Sequence, residues 1–427
     1  MLKARKRGEE WKGAAEQKSV SEFLRGTREG RIPIQEPTIF LFPSENQESR
    51  TERMGIEIQH KINNGDDTTA VAAVAPVILG LQPSALVDHV ATVDLSLLSR
   101  IPGEPGGSFP VAVEELKFVL GEVNAHIVAS PETTSSLKTI AGGSVANTIR
   151  GLAAGFGITC GIIGACGDDD QGSLFIDNMS LYKVDLSRLR LKNGSTAQCV
   201  CLVDELGNRT MRPCLSSAVK IQCIKTNTNS ISLVQWLVLR YAIFNIEVIQ
   251  AAIKIAKQEG VSVSLDLASF EMVRKFRLPL LQLLESGSID LCFANEDEAA
   301  ELLRDEENAA DPESALDFLA KHCQWAVVTL GAKGCIAKHG KEVVRVPAIG
   351  ESKAVDATGA GDLFASGFLY GLVQGLSLEE CCKIGSCSGG SVIRSLGGEV
   401  TPENWQWMYK QMQTKGLPVP EPHNVVL

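Results

Sequence analysis

The sequence predicts an α/β fold, a mostly parallel sheet with helices on both faces. Two observations predict it. Between Trp236 and Leu330 short apolar runs alternate with stretches of helical periodicity, which is the pattern of strands joined by crossover helices. Then Asp356-Ala357-Thr358-Gly359-Ala360-Gly361-Asp362 forms a glycine-bearing turn that opens a helical run carrying Leu363, Phe364, Phe368, Leu369 and Leu372, stopped by Gly375. In sheets of this kind ligands collect outside the carboxyl ends of the strands. Asn295, Glu298, Gly331 and Gly334 all fall at such ends, and so does the turn if Lys341 to Val346 is the strand before it.

Taken in order, residues 1 to 75 stand apart. They are charged early (Lys3, Arg5, Lys6, Arg7, Glu9, Glu10) and show little apolar periodicity, so a poorly ordered extension is expected there. Met54 within it offers an alternative start, and a plastid or mitochondrial transit peptide is an open reading against which the many glutamates argue. The domain proper is expected over 76–427. Ala85 to Asp94 alternates like a strand and carries Asp88 within its apolar run, either as a solvent-face residue or as a holder of substrate hydroxyls. Pro102 to Pro110 reads as a loop and Val111 to Val123 as a helix. Ala141-Gly142-Gly143-Ser144-Val145-Ala146-Asn147-Thr148 opens another helix, with Asn147 one turn in. Ile158 to Gly164 is a strand, and the Asp168-Asp169-Asp170 run after it reads as a solvated turn rather than a metal site. Thr196 to Val203 and Arg209 to Cys214 make a hairpin around Gly207-Asn208. Beyond it, strands are expected at Trp236 to Leu239, Val261 to Leu267, Ile289 to Phe293 and Ala326 to Leu330, with helices at Ile246 to Gln258, Glu271 to Leu284 and Ala315 to Lys321. Leu378 to Ile393 is helical, and a last helix begins at Thr401-Pro402, its Trp405 and Trp407 serving as packing anchors.

Composition narrows the function classes. The chain has 427 residues, ample for a large core, and a net charge of −10. No basic block accompanies the aromatics, which argues against nucleic acid as a partner. No apolar run reaches the length of a membrane span and no signal-peptide pattern is present, so no membrane partner is expected, and a cytoplasmic chain, with a plastid as the alternative. The 12 cysteines are scattered through apolar segments without C-x-x-C or Cys/His metal spacing, and read as buried reduced thiols.

The chemistry concentrates in the glycine turn. Small residues there expose backbone N–H groups at the positive end of a helix dipole, where an anion binds well. Asp362 is out of place beside a phosphate unless it has a chemical task. Either it is a first-turn dipole partner, or it is a general base that takes the proton from an attacking hydroxyl.

Four motifs in order decide between these: Gly142-Gly143-Ser144-Val145-Ala146-Asn147, Asn295-Glu296-Asp297-Glu298, Val328-Thr329-Leu330-Gly331-Ala332-Lys333-Gly334 and the 356–362 turn. With them the chain resembles the ribokinase-like (PfkB) carbohydrate and nucleoside kinases over about residues 76 to 415. The resemblance implies a three-layer sandwich with a small β-sheet lid, contributed by about 84–100 and 195–215. It implies Asp362 as catalytic base and the amides of Gly359, Ala360 and Gly361 as an anion hole. It places Asn295 and Glu298 on Mg²⁺ and phosphate through water, and Thr329, Gly331, Gly334 and Thr358 on ATP. Asp88, Gly142, Gly143 and Asn147 match positions that hold sugar hydroxyls. A monovalent cation such as K⁺ near Asp356 is a further family feature, and the assembly it implies is a monomer or a lid-mediated homodimer.

Ser264-Leu265-Asp266-Leu267-Ala268-Ser269 departs from the Asp-x-Asn-x-Arg of many sugar kinases, and with Ser195-Thr196-Ala197-Gln198 it is similar to the adenosine-kinase branch. Three readings follow. The first is an ATP- and Mg²⁺-dependent kinase acting on the 5′-hydroxyl of a ribonucleoside. The second is a kinase of free ribose, fructose or a related sugar. The third is a kinase-fold protein that has lost activity and binds partners, against which stand the intact Asp362, Gly359–Gly361, Asn295 and Glu298.

Overall fold

The computed structural model describes residues 76–129, 137–215, 219–221, 233–242, 245–306, 311–350 and 354–420. The extension expected over 1–75 lies outside them. By its internal contacts the chain divides into residues 1–72 and 73–427, and all that follows concerns the second unit.

A nine-stranded sheet forms the middle layer. β1 (Ile78–Gln82) lies inside it, between β4 (Cys160–Gly167) and β8 (Trp236–Arg240), and β5 (Leu189–Lys192) closes the edge beyond β4. On the other side of β8 follow β9 (Ser262–Asp266), β10 (Leu291–Asn295) and β11 (Trp325–Thr329), every pairing so far being parallel. β12 (Cys335–His339) and β13 (Glu342–Val346) then add as two antiparallel strands. Two reversals return β13 to the direction of β11, so the turn that follows it emerges at the same carboxyl ends as Asn295. β12 has no counterpart among the sequence expectations; it is short and follows directly on the Gly331–Gly334 turn.

Apolar strands such as Leu291-Cys292-Phe293-Ala294 are buried on both faces, as a covered parallel sheet requires. On one face Ile149, Leu152, Phe364, Phe368 and Trp405, from helices Ser144–Phe156, Ala360–Val373 and Pro402–Thr414, pack with Phe293 into one core. On the other, helix Ile246–Gln258 turns Ile249, Ala252, Ile253 and Ala256 inward at helical spacing, against Leu239, Leu265 and Val328. The result is the expected three-layer α/β arrangement.

The second sheet has the order β3-β2-β6-β7, with β2 (Leu86–Thr92), β3 (Lys138–Gly142), β6 (Ala197–Val203) and β7 (Arg209–Cys214). Two of its strands are the expected hairpin. β3 was not expected as a strand, because its Ala141-Gly142 was read as part of a helix opening. Helix Val113–Ala129 covers one face of this sheet, with Leu116, Val119 and Val123 on Val200 and Leu202. The other face carries Leu86, Val90, Ile140, Cys199 and Cys201. The hairpin tip reaches the 356–362 turn, where the Ala357 N–H donates to Gly207 O at 2.9 Å. Gly207 has φ +81°, and a Cβ there would collide with the Ala354 carbonyl, so only glycine lets the tip sit so close.

Two further expectations change. Glu271 to Leu284 is two helices, Phe270–Lys275 and Arg277–Glu285, because Pro279 near the start of the second has no N–H to continue the first. Of the three aspartates, Asp168 and Asp170 are exposed as a solvated turn requires, and Asp169 between them is tied into the fold. Asp169 caps helix Asp170–Leu181 through Gly172 N and accepts from Thr196 N (2.8 Å) and Thr196 Oγ1 (2.6 Å), which pins the start of β6. The cysteines behave as expected: all those described are buried and free.

Arg212 on β7 holds the 102–108 loop. It is 1 % exposed and donates to the carbonyls of Pro102, Glu104, Gly107 and Met211. Arg212→Met strands those carbonyls, and the expected cost is roughly 3–5 kcal/mol, measured as a drop in unfolding midpoint. An unchanged midpoint rules out Arg212 as the loop's anchor.

Candidate active site

The 356–362 turn is held from below. Asp356 is fully buried; its Oδ1 accepts from Thr358 N and its Oδ2 from Gly397 N, both at 2.7 Å. Gly359, at φ +80°, is the N-cap of helix Ala360–Val373. The Ala360 N–H is spent on Ala357 O at 3.2 Å. The amides of Gly359, Gly361 and Asp362 have no acceptor among the described residues. Of the three amides expected to face an anion, those of Gly359 and Gly361 are thus left free together with that of Asp362, while the Ala360 amide bonds within the turn.

Asp362 lies in the first helical turn and lines a polar cavity of about 60 Å³ at the carboxyl ends of the strands. Its Oδ2 accepts from Asn147 Nδ2 at 2.9 Å. Burial raises its carboxyl above the ordinary range, while the Asn147 hydrogen bond and the charges of Arg240 and Arg209 pull it down. Asn147 is itself oriented. Its Oδ1 accepts from Arg150 Nη2 at 2.8 Å. A guanidinium only donates, so the amide oxygen must face Arg150 and the NH₂ must face Asp362. Arg150 is buried and also donates to Ala141 O, Asn178 Oδ1 and Gly398 O, which fixes it on four sides.

Gly143 and Asn147 line this cavity; Asp88 and Gly142 are not among its lining residues and pack on one another. Asp88 is 1 % exposed and neither of its oxygens has a hydrogen-bond partner. A Cβ on Gly142 would occupy the place of its carboxylate. Burial pushes Asp88 up to about 7 in spite of Arg150 and Arg240 nearby. Thr329, Thr358, Asn295 and Glu298 line the cavity as well, and Thr358 Oγ1 is buried without a partner. Gly331 and Gly334 do not. Gly331 is exposed, and Gly334 packs against the backbone of β13.

Asn295 and Glu298 form a capping box: Asn295 Oδ1 accepts from Glu298 N and Glu298 Oε2 from Asn295 N, both at 2.9 Å. One polar atom of each, Asn295 Nδ2 and Glu298 Oε1, is left without a partner among the described residues. Burial, aided by Asp266, pushes Glu298 up to about 8. Asp266 is raised as well, burial again being the larger cause. Burial disfavours the charged form of both carboxyls, and a divalent cation in the cavity would restore it.

Sequence reasoning missed Asp266, Arg240 and Arg209, which all line the cavity. Asp266 and Arg240 are the last residues of β9 and β8, so the strand-end rule that found Asn295 would have found them. Arg240 is tied to Ser144 Oγ and Ala268 O. Nothing local marks Arg209, which the lid hairpin delivers.

A second cavity adjoins the first and shares Gly143, Ser144, Met211, Arg240 and Ala268 with it. It measures about 140 Å³ and is mostly apolar, with Leu81, Leu86, Cys199, Met211, Tyr241 and Met272 in its walls.

The model of the pfkB family carbohydrate kinases matches residues 115–404. The chain belongs to that family. Kinases of this family are phosphotransferases with an alcohol group as acceptor, so this chain is a sugar or nucleoside kinase and its fold is ribokinase-like. A curated sugar kinase of Archaeoglobus fulgidus, itself uncharacterised, is 25% identical over 254 residues, 56% of this chain and 94% of that protein. Among solved structures, a probable sugar kinase from Rhizobium etli superposes with TM-score 0.69 at 26% identity, covering 81% of this chain and 100% of the other. Adenosine kinase from Sinorhizobium meliloti gives TM-score 0.69 at 28% identity, with 78% and 98% covered. Family membership implies ATP as phosphate donor. Among the described residues no helix is long and apolar enough to cross a membrane.

Two outcomes follow from the geometry. Arg150→Met frees Asn147 to turn, and kcat is expected to fall roughly ten- to hundredfold with acceptor KM little changed; equal kcat in steady-state kinetics refutes the orienting role. Asp88 is an acid whose folded pKa is raised, so ionising it is penalised in the folded state. The free protein therefore loses stability as pH climbs from 3.8 to about 7, and the full penalty is present above that. Asp88→Asn is expected to stabilise the ligand-free protein at pH ~8 by on the order of 1–3 kcal/mol, with the gain fading toward pH ~4. A pH-independent difference in melting temperature contradicts this.

Proposed function

We propose that the chain transfers the terminal phosphoryl group of ATP, with Mg²⁺, to the 5′-hydroxyl of a ribonucleoside. The observation that carries the choice of substrate is the apolar cavity beside Asp362. A free sugar is polar on every edge and would leave those walls unmatched, whereas a nucleoside brings a largely apolar, planar base to them. The 28% identical adenosine kinase structure supports the same branch. The sugar-kinase reading keeps one support, since two unpartnered oxygens of Asp88 suit adjacent hydroxyls of a free sugar as well as those of a ribose.

Asp362 accepts the proton of the attacking hydroxyl; its carboxylate is aimed by Asn147 and raised toward a useful pKa by burial. The free amides of Gly359 and Gly361 receive the oxygens of the transferring group at the start of the helix. Arg209 and Arg240 offset the charge that develops across the cavity. Mg²⁺, held by the free carboxylate oxygens of Glu298 and Asp266, would supply charge neutralisation to the triphosphate, and Asn295 Nδ2 is left to donate to a phosphate oxygen. The lid hairpin, seated on Ala357, shuts water out. Helix Val113–Ala129 already covers the outer face of the lid sheet, which favours a monomer over a dimer built on that face.

A panel of ribonucleosides and free sugars, read by ADP release, tests the proposal. Turnover of at least one ribonucleoside is expected, with Asp362→Asn lower by roughly 10²–10⁴-fold in kcat; turnover confined to free sugars sinks the nucleoside reading. Glu298→Gln and Asn295→Ala should move the Mg²⁺ half-saturation point upward by about tenfold, and an unshifted titration removes them from the metal's surroundings.

A further inference from the structure

Asp88 sits among thiols as well as beside the substrate chamber. On the inner face of the lid sheet it lies directly opposite Cys199 in the parallel pairing of β2 with β6, and Cys201 follows two residues on, on the same face. The carboxylate oxygen and the two Sγ atoms all lie within 4.8 Å of one another, and all three residues are buried. The Sγ–Sγ separation is 3.8 Å. Two thiolates on one tetrahedral zinc ion, each about 2.3 Å from it, stand about 3.8 Å apart. The spacing fits one shared cation, while S–S bonding needs sulfurs about 2 Å apart. Neither oxygen of Asp88 has a hydrogen-bond partner. Without a metal the thiols donate elsewhere, Cys201 to Cys199 Sγ and Cys199 to Val200 O at 3.6 Å, and leave the carboxylate unsatisfied.

We propose that Asp88, Cys199 and Cys201 form a binding site for a thiophilic d¹⁰ divalent cation of the zinc type. Binding releases the two thiol protons to solvent and forms two metal–sulfur bonds and one metal–oxygen bond. Cys199 also lines the apolar cavity, so the cation has a route in, and its fourth position faces that cavity for water. Three protein ligands and one open position make a site that takes up and releases its ion, unlike a closed structural centre. One consequence rests on the function proposed above. If Asp88 holds acceptor hydroxyls, the cation and the acceptor compete for the same carboxylate, and zinc acts as an inhibitor overcome by acceptor.

The test uses the full-length reduced protein with Cd²⁺ as spectroscopic probe and Zn²⁺ as inhibitor. One equivalent of Cd²⁺ is expected to develop the ultraviolet charge-transfer band of two cadmium–thiolate bonds. Cys201→Ala is expected to abolish it, which separates this site from the other buried thiols, such as the Cys292–Cys323 and Cys335–Cys382 pairs. Cys201 lies outside the linings of both cavities, so metal-free kinetics of Cys201→Ala should match the native protein, while the Zn²⁺ needed for inhibition rises by about tenfold or more. No band in the native protein, or the same band in Cys201→Ala, overturns the proposal. Should Cys201→Ala fail to fold, Cys201→Ser replaces it: the band weakens by about half or more if the site exists, and an unchanged band overturns the proposal. A band with acceptor KM unmoved by Zn²⁺ keeps the cation site and removes Asp88 from acceptor binding, so the two readings fail separately.

Discussion

The site is governed by the cost of holding carboxylates away from water. Asp266, Glu298 and Asp362 gather at the carboxyl ends of the central strands, Asp88 lies within β2 of the second sheet, and burial raises every one of them. Arg150, Arg209 and Arg240 offset the charge in part. The rest is left for ligands to complete. A fold that tolerates this must be rigid elsewhere, and the two apolar cores on either side of the central sheet supply that rigidity. The imbalance is concentrated where a cation and a proton donor would each relieve some of it. This is the usual relation between a strained, less stable site and its function.

Much of the machinery serves two ends at once. Asn295 and Glu298 cap a helix with one polar atom each and keep the other for the cavity. Asp356 ties the glycine turn to Gly397 and so holds the free amides of that turn in place. Asn147 passes the orientation of Arg150 on to Asp362. In each case the backbone-satisfying bond is what points the remaining group, so preorganisation comes from ordinary hydrogen-bond satisfaction.

The lid is joined to the chemistry at more than its rim. Its hairpin tip bonds to Ala357, Lys138 on β3 reaches Leu396 O at 2.9 Å, and Arg209 enters the cavity from β7. Arg212, three residues further along β7 and on its opposite face, organises the 102–108 loop, whose Ser108 O accepts from Ser269 Oγ at 3.0 Å. In the reaction proposed above, the seated hairpin would therefore bring a cation to the cavity at the same time as it covers it.

The local elements were legible from the sequence because their causes are local. Periodicity marked helix Ile246–Gln258 to the residue, and the Gly-Asn turn marked the β6–β7 hairpin. The 356–362 turn announced an anion-binding helix start with an aspartate that needed a reason. What stayed hidden depended on separation in sequence. β3 is a strand because β2 pairs with it, and β12 because β11 does. The amide of Ala360 is lost to a turn bond, while that of Asp362 is free. Asp362 acquired its partner 215 residues away in Asn147, and Arg209 became a site residue only through the placement of the lid. Sequence by itself determined which residue types stand at which strand ends, since that follows from pattern and turn chemistry. Only the tertiary structure decided which charges face each other, because burial and distance set the energy of a charge, and neither is a property of the chain read in one dimension.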